Sequence, residues 1–247
     1  MSFRTFPFEP VETFPAQLGV IVLQSDETIE QDFRRLFGPD VDLQFSRIRS
    51  GADVTPETLA AMEADLGTSA GLLCPWTQFG AIGYGCTSGT AQIGRARVAE
   101  LISGAAQTRA VTEPVSALLA ACNALGIQRI AFLSPYLAEV SDRICAVLAE
   151  GGVETPVFGS FNVSSEARVA RISPDSIKQA ARALVESGGV DALFMSCTNL
   201  RALGIIDDLE AELDMPVMSS NLVMAWDMAR RAEVPLAADV PGRLARA

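Results

Sequence analysis

Gly83-Tyr84-Gly85-Cys86-Thr87-Ser88-Gly89-Thr90-Ala91 joins an apolar run, Phe79 to Tyr84, to a helical pattern from Thr90 to Ile102. The run reads as a buried strand and the pattern as a helix, so Cys86 is expected at a strand-to-helix turn. Thr87, Ser88 and Thr90 stand beside it. Backbone N–H groups at a helix start have no intrahelical partner. They bind anions and are expected to lower a neighbouring thiol pKa from its ordinary value of about 8.5.

A second stretch repeats the arrangement. Asp191 to Ser196 reads as a buried strand, followed by Cys197-Thr198-Asn199-Leu200 and a helix to about Leu213. One such cysteine would be read as a small buried hydrophobe. Two at corresponding junctions point to a pair of reactive thiols.

Outward from these turns the chain alternates strand and helix, which implies mostly parallel sheets. Strands are expected at Leu18 to Leu23, Val41 to Ile48, Arg109 to Thr112, Arg129 to Ser134, Val153 to Phe158 and around Val217. The helix after Leu23 stops at Gly38-Pro39. Thr55-Pro56 opens a second helix running to about Leu73, with Thr55 as cap. Pro114 to Leu125 is a helix closed by Gly126, and another runs to Glu150 before Gly151-Gly152. Phe161 to Ile172 reads as a long connection, Pro174 to Glu186 as a helix, and a last helix starts near Ser220.

The two halves correspond. Ser25 and Ser134, Cys86 and Cys197, and Val111 and Val217 are separated by nearly the same interval. The expected fold is therefore α/β, with two similar lobes, each a mostly parallel sheet flanked by helices. The lobes are related by a pseudo-twofold axis, with one cysteine from each facing a common cleft. The division is 1–17 as an N-terminal arm, 18–112 with 220–232 as one lobe, 113–219 as the other, and 233–247 as a C-terminal tail that is poorly structured or lies on the surface. Phe3, Phe6, Phe8 and Phe14 alternate with prolines in the arm. Their aromatics are expected on the body or on a neighbouring subunit, which suggests a homo-oligomer.

Bulk properties narrow the chemistry. A chain of 247 residues with 49% hydrophobic residues can bury a large core. A formal charge of −11 argues against a nucleic-acid footprint. No run approaches membrane-spanning length, and five cysteines without a C-x-x-C spacing fit neither a disulfide framework nor a structural zinc site. A reducing cytoplasm is the expected compartment. With no histidine anywhere, Ser-His-Asp and Cys-His catalysis are excluded. There is no Walker motif, and Gly83-Tyr84-Gly85 lacks the dinucleotide-binding spacing. No metal or cofactor is expected. Cys74, Cys122 and Cys145 read as packing residues.

Two opposed thiols can act on a small carboxylate in two ways. One removes the proton alpha to the carboxylate while the other reprotonates the opposite face. Alternatively, one thiolate adds to a C=C bond, which rotates before elimination. Ser25 and Asp26, in the loop after the first strand, are either helix caps or substrate contacts, because open α/β sheets bind ligands at that end. Thr87, Ser88, Thr198 and Asn199 are expected to hold carboxylate oxygens.

The G-C-T-S-G-T turn at Cys86, the S-C-T-N turn at Cys197 and the two-lobed layout resemble the aspartate/glutamate racemase superfamily, over roughly Leu18 to Arg230. Leu23-Gln24-Ser25-Asp26-Glu27-Thr28 and Leu133-Ser134-Pro135-Tyr136 are similar to its maleate isomerase, arylmalonate decarboxylase and ectoine-utilisation branch. The resemblance implies that Cys86 and Cys197 are the first and second catalytic cysteines and that Tyr136 lines the pocket. Asn162 is a further implied contact, with a turn role as the alternative. Asp26 stands where maleate isomerases carry asparagine. A carboxylate there would repel a dianion and accept an ammonium group. The leading expectation is thus a racemase or isomerase of a small amino-acid-like carboxylate, possible in ectoine degradation. The alternatives are maleate cis–trans isomerisation, an arylmalonate-decarboxylase-like lyase, and a non-catalytic small-molecule binding protein.

Overall fold

The apolar run at Leu18 becomes the interior strand of a parallel sheet. The computed structural model describes residues 3–11 and 13–247. Strand β1 (Ala16–Leu23) pairs with β2 (Val41–Ile48) on one side and β3 (Ala81–Gly85) on the other, and β3 pairs with β4 (Val111–Thr112). The second sheet contains β5 (Arg129–Ser134), β6 (Glu154–Ser160), β7 (Ala192–Met195) and β8 (Val217–Ser219), all parallel. The orders β2-β1-β3-β4 and β6-β5-β7-β8 match strand for strand. The expected two-lobed α/β fold is present, and the cysteines follow the equivalent strands β3 and β7.

Eleven α-helices cover these sheets among the described residues: α1 (Ile29–Leu36), α2 (Pro56–Ala61), α3 (Glu63–Ala70), α4 (Thr87–Ile93), α5 (Arg95–Ser103), α6 (Pro114–Leu125), α7 (Ala138–Glu150), α8 (Glu166–Val169), α9 (Pro174–Val185), α10 (Ile206–Leu213) and α11 (Ser220–Ala232). None is long and apolar enough to cross a membrane. Thr55 caps α2 through a reciprocal bond pair with Thr58, as the Thr-Pro signal predicted. Gly126 closes α6 at φ 69°, a left-handed conformation that glycine adopts without a Cβ clash.

Several expectations need correction, among them the helix from Thr55 to about Leu73, which is two helices meeting at Met62. The helix expected over 90–102 is two helices, because Gly94 at φ 98° breaks the chain between α4 and α5. It also starts earlier, at Thr87, because Cys86 itself takes the capping position. The connection after β6 contains the short helix α8. The C-terminal tail is docked: Val240 and Leu244 are buried, Gly242 N–H donates to Asp207, and Arg243 N–H donates to the buried Glu210 carboxylate.

Helix α11 leaves β8 of the second sheet and packs against β3 of the first. Gly83 makes this approach possible, since a Cβ there would lie 2.6 Å from Met228 Sδ. Thr112 of β4 donates to the buried Asp227 of α11 at 2.6 Å. In the arm, Phe3, Phe6, Phe8 and Phe14 are 74–90% exposed, so they do not pack on the body. Residues 1, 2 and 12 of the expected arm lie outside the described residues.

Candidate active site

Cys86 sits at the end of β3 with extended backbone (φ −152°), which turns its side chain back over the first turn of α4. Its Sγ accepts the Gly89 N–H at 3.2 Å and lies 3.7 Å from Ser88 Oγ. Only glycine fits at position 89, because a Cβ would be 2.9 Å from Cys86 Sγ and 2.8 Å from Tyr84 Oη. Thr87 does not face the sulfur; its hydroxyl meets Ser220 Oγ at 2.9 Å.

The second turn differs from the first. No helix begins at Cys197; a loop leads to a single 3-10 turn at Leu203–Ile205 and then α10. Cys197 has φ 112°, a strained value for a residue with a Cβ, of the kind found where structure holds a functional group in place. Ser220 Oγ accepts the Cys197 N–H at 3.0 Å, and Cys197 Sγ accepts the Asn199 N–H at 3.3 Å. One serine hydroxyl at the start of α11 therefore ties both cysteine turns together. Next to Cys197, Ser196 Oγ is enclosed with no hydrogen-bond partner among the described residues.

The polar residues around the thiols are largely occupied by the fold. Asp26 Oδ1 accepts the Thr28 and Ile29 N–H groups, both at 2.8 Å, and its Oδ2 accepts the Thr198 hydroxyl at 2.8 Å. Asp26 thus holds the start of α1, just before its N-cap Thr28, and clamps the Cys197 turn. Three internal donors occupy most of the carboxyl that was expected to accept an ammonium group. Burial still pushes the Asp26 carboxyl pKa up, against the Ile29 and Thr28 N–H groups, the Thr198 hydroxyl and Arg47. Asn199 is also saturated. Its Oδ1 takes the Glu27 N–H (2.9 Å) and the Thr28 hydroxyl (3.4 Å), and its Nδ2 donates to Ser25 O (3.3 Å) and Glu166 Oε2 (3.1 Å). Thr198 and Asn199 accordingly bridge the lobes instead of offering free side-chain donors. Ser25 contributes its carbonyl to this bridge, while its hydroxyl meets Ser50 Oγ at 3.0 Å. Asn162 is exposed at φ 55°, and its N–H bonds to Ser160 Oγ, which is the turn role. Tyr136 is buried, and burial followed by the nearby Cys197, Glu166 and Cys86 charges raises its phenol pKa well above the usual value.

The expected thiol activation is reversed in this closed site. Burial pushes Cys86 up to about 12, against the Gly89 N–H and Ser88 hydroxyl that favour the thiolate. Cys197 is pushed well above its usual value by burial and then by the Glu166 charge. Each is only 2% exposed. Cys74 is the contrary case: half-buried, with its pKa lowered by the Thr77 side chain and the Trp76 amide. Near neutral pH, iodoacetamide is expected to label Cys74 at least about tenfold faster than Cys86 or Cys197, because only thiolate reacts. Peptide mass spectrometry measures the order; first labelling at Cys86 would contradict the closed, protonated site.

Glu166 is the functional candidate that sequence reading missed. It stands in the first turn of α8, buried, with Oε2 on Asn199. Burial raises its carboxyl pKa to about 7 despite that bond, with the Asp26 charge adding to the effect. Its charge in turn acts on Cys86, Cys197 and Tyr136. The signal was present in Ser165-Glu166-Ala167-Arg168-Val169, where a capping-type serine precedes an acidic first turn and a buried valine. Glu166 is brought in by a seam between lobes: Asp53 bridges Ser165, Val54 N–H donates to Ser164 O (2.8 Å), and Glu166 N–H donates to Ala52 O (3.1 Å). Among the described residues no three His, Cys, Asp or Glu side chains are grouped as metal ligands would be.

Matched sheets, each followed at the equivalent strand end by a buried cysteine, define a two-lobed protein of the aspartate/glutamate racemase type. A family model described as arylmalonate decarboxylase matches residues 87–245, and the chain belongs to that family. It is 27% identical over 242 residues to a maleate isomerase of Nocardia farcinica, covering 93% of this chain and 95% of that one. It is 30% identical over 118 residues to an arylmalonate decarboxylase of Bordetella bronchiseptica, covering 47% and 49%. Among solved structures, the Nocardia farcinica maleate cis-trans isomerase superposes with a TM-score of 0.82 at 26% identity, over 94% of this chain and 98% of that one. That structure carries a cysteine-to-serine substitution and a covalently bound succinylcysteine intermediate. A liganded arylmalonate decarboxylase variant superposes with a TM-score of 0.83 at 25% identity, over 93% and 98%. These relatives are enzymes, and both isomerisation and decarboxylation occur among them.

Proposed function

We propose that the protein is a cofactor-independent cis–trans isomerase of a small unsaturated dicarboxylate of the maleate type. The observation that carries this reading is the pair of enclosed thiols on matching strand ends, whose turns Ser220 joins through the Thr87 hydroxyl and the Cys197 N–H. The similarity to isomerases over nearly the whole chain supports it, as does the succinylcysteine adduct in one of them. The amino-acid reading rested on a free Asp26 carboxyl, and the three donors on that group leave it with less support. A decarboxylase needs only one cysteine of the two.

In this reading Cys86 is the nucleophile. As thiolate, it is stabilised by the Gly89 N–H and the Ser88 hydroxyl, and it adds to one olefinic carbon. The C–S bond forms as the π pair moves to the adjacent carbon, which takes a proton from Cys197. The former double bond is then single and rotates. Return of that proton to Cys197 and departure of the Cys86 thiolate re-form the bond as trans. Tyr136, beside Cys197, lies next to the reacting carbons and is available to one of the carboxylates. The raised Cys86 pKa makes the thiolate a minor species near neutral pH, so turnover rises with pH until Cys86 is ionised.

Proton NMR of the purified protein with maleate is the test. The maleate olefinic signal is expected to give way to that of fumarate. Loss of the alpha-proton signal of aspartate, glutamate or an acetylated diaminobutyrate in D2O, with maleate untouched, would replace this reading by racemisation.

A further inference from the structure

A doubly charged substrate and this site are mismatched in charge. Every charged-type side chain buried in the molecule is an acid: Asp26, Asp32, Glu113, Glu166, Glu210 and Asp227. No lysine or arginine is buried among the described residues. Asp26 has three internal donors, with one or more on each of its oxygens, and Arg47, which bonds the backbone oxygens of Leu23 and Asp26, is spent on the first loop and on Glu30. Glu166 differs. Its Oε2 takes the Asn199 Nδ2–H, while its Oε1 has no protein hydrogen bond among the described residues and, unlike Ser196 Oγ, is not sealed from solvent. It is also the carboxyl whose charge reaches Cys86, Cys197 and Tyr136 together.

We infer that Glu166 is a substrate-binding residue that acts as a neutral acid, donating its O–H from Oε1 to one carboxylate of the dicarboxylate. Binding a dianion then draws one proton into the site, and that proton takes the place of the missing cation. The inference rests on the dicarboxylate reading given above. Its chemistry is that of a carboxylic acid kept protonated near neutral pH by burial so that it can donate a hydrogen bond. The titratable and charged groups facing Glu166 are Asp26 from the β1–α1 loop, Cys86, Tyr136 and Cys197 from the strand ends, and Asp53 across the seam. Arg168 and Arg171 lie on its own segment, and Arg201 bonds Ala170 O. Of these, Asp26 is the one whose charge adds to the rise in its pKa, which reaches about 7. A second carboxylate brought alongside raises it further.

The sign follows from linkage. The protonated form binds, so affinity is complete below pH 7 and falls about tenfold per pH unit above it, until the pKa of the complex is reached. The probe is succinate, a saturated dicarboxylate that cannot react, titrated calorimetrically in buffers of different ionisation heat. Uptake of close to one proton is expected at pH 8, and close to none at pH 6. Glu166→Gln keeps an acceptor for Asn199 and an N–H donor for the ligand. Its succinate affinity is therefore expected to vary less than about threefold between pH 6 and 8, against about tenfold for the wild type. No proton uptake by the wild type, or an unchanged pH slope in Glu166→Gln, overturns the inference. A slope that survives in Glu166→Gln and vanishes in Asp26→Asn assigns the proton to Asp26 and overturns it equally. If the wild type neither binds succinate nor converts maleate, the dicarboxylate reading itself fails, which is a separate outcome.

Discussion

Cys86→Ala is expected to lower maleate turnover by about 10⁴-fold or more, because the covalent route loses its nucleophile and the remaining groups act only as a unit. Cys197→Ala is expected to cost less, roughly 10²- to 10⁴-fold, the usual range for a positioned proton donor. The asymmetry follows from the two turns. Cys86 Sγ has the Gly89 N–H and the Ser88 and Tyr84 hydroxyls to favour a thiolate, whereas Cys197 Sγ has the Asn199 N–H and the Tyr136 hydroxyl and is opposed by the charges of both Glu166 and Asp26. Incubation with maleate followed by intact-protein mass spectrometry separates the roles. An adduct of one substrate mass should accumulate in Cys197→Ser and be absent in Cys86→Ser. The reverse pattern would exchange the two roles, and full turnover in both alanine variants would end the two-thiol reading.

The second large effect concerns stability. Asn199→Ala removes the four side-chain hydrogen bonds that join the Cys197 turn to the first loop and to α8. The Glu27 N–H, the Ser25 carbonyl and the buried Glu166 carboxyl are left behind. Unmade bonds to enclosed groups cost more than the net value of a made one, so a loss of about 3 kcal/mol is expected. For a chain of this size that lowers Tm by roughly 6–12 °C. Thermal unfolding followed by circular dichroism measures it. A fall of less than about 2 °C would show that other contacts hold the lobes together.

Much of this was legible in the chain because burial on both faces of a parallel sheet writes continuous apolar runs. Arg129–Ser134 was bounded correctly for that reason, the edge strand Val41–Ile48 through its apolar/polar alternation, and Pro114 and Gly126 bracketed α6 through their backbone preferences. The positions of Cys86 and Cys197 after equivalent strands were legible too. Their environment was not. A thiol pKa depends on how completely the opposite lobe covers it, and no local motif records that coverage. The same limit applies to Asp26, whose third donor, Thr198, is distant in sequence and near only in the fold. Glu166 escaped notice because α8 is a single short turn in a polar connection, with too few residues to show a period. The docked tail was missed because its anchors, Val240 and Leu244, are isolated apolar residues without periodicity.

The return of α11 to the first sheet has a mechanical consequence. The chain crosses between lobes once after β4 and again after β8, and the second crossing is fastened by Asp227 to Thr112 and by Ser220 to both cysteine turns. The backbone bonds from Val54 N–H to Ser164 O and from Glu166 N–H to Ala52 O join the same two lobes. The segment that carries Glu166 is thus itself a strap between the lobes, and any parting of them at that seam would move the residue proposed to meet the substrate's charge.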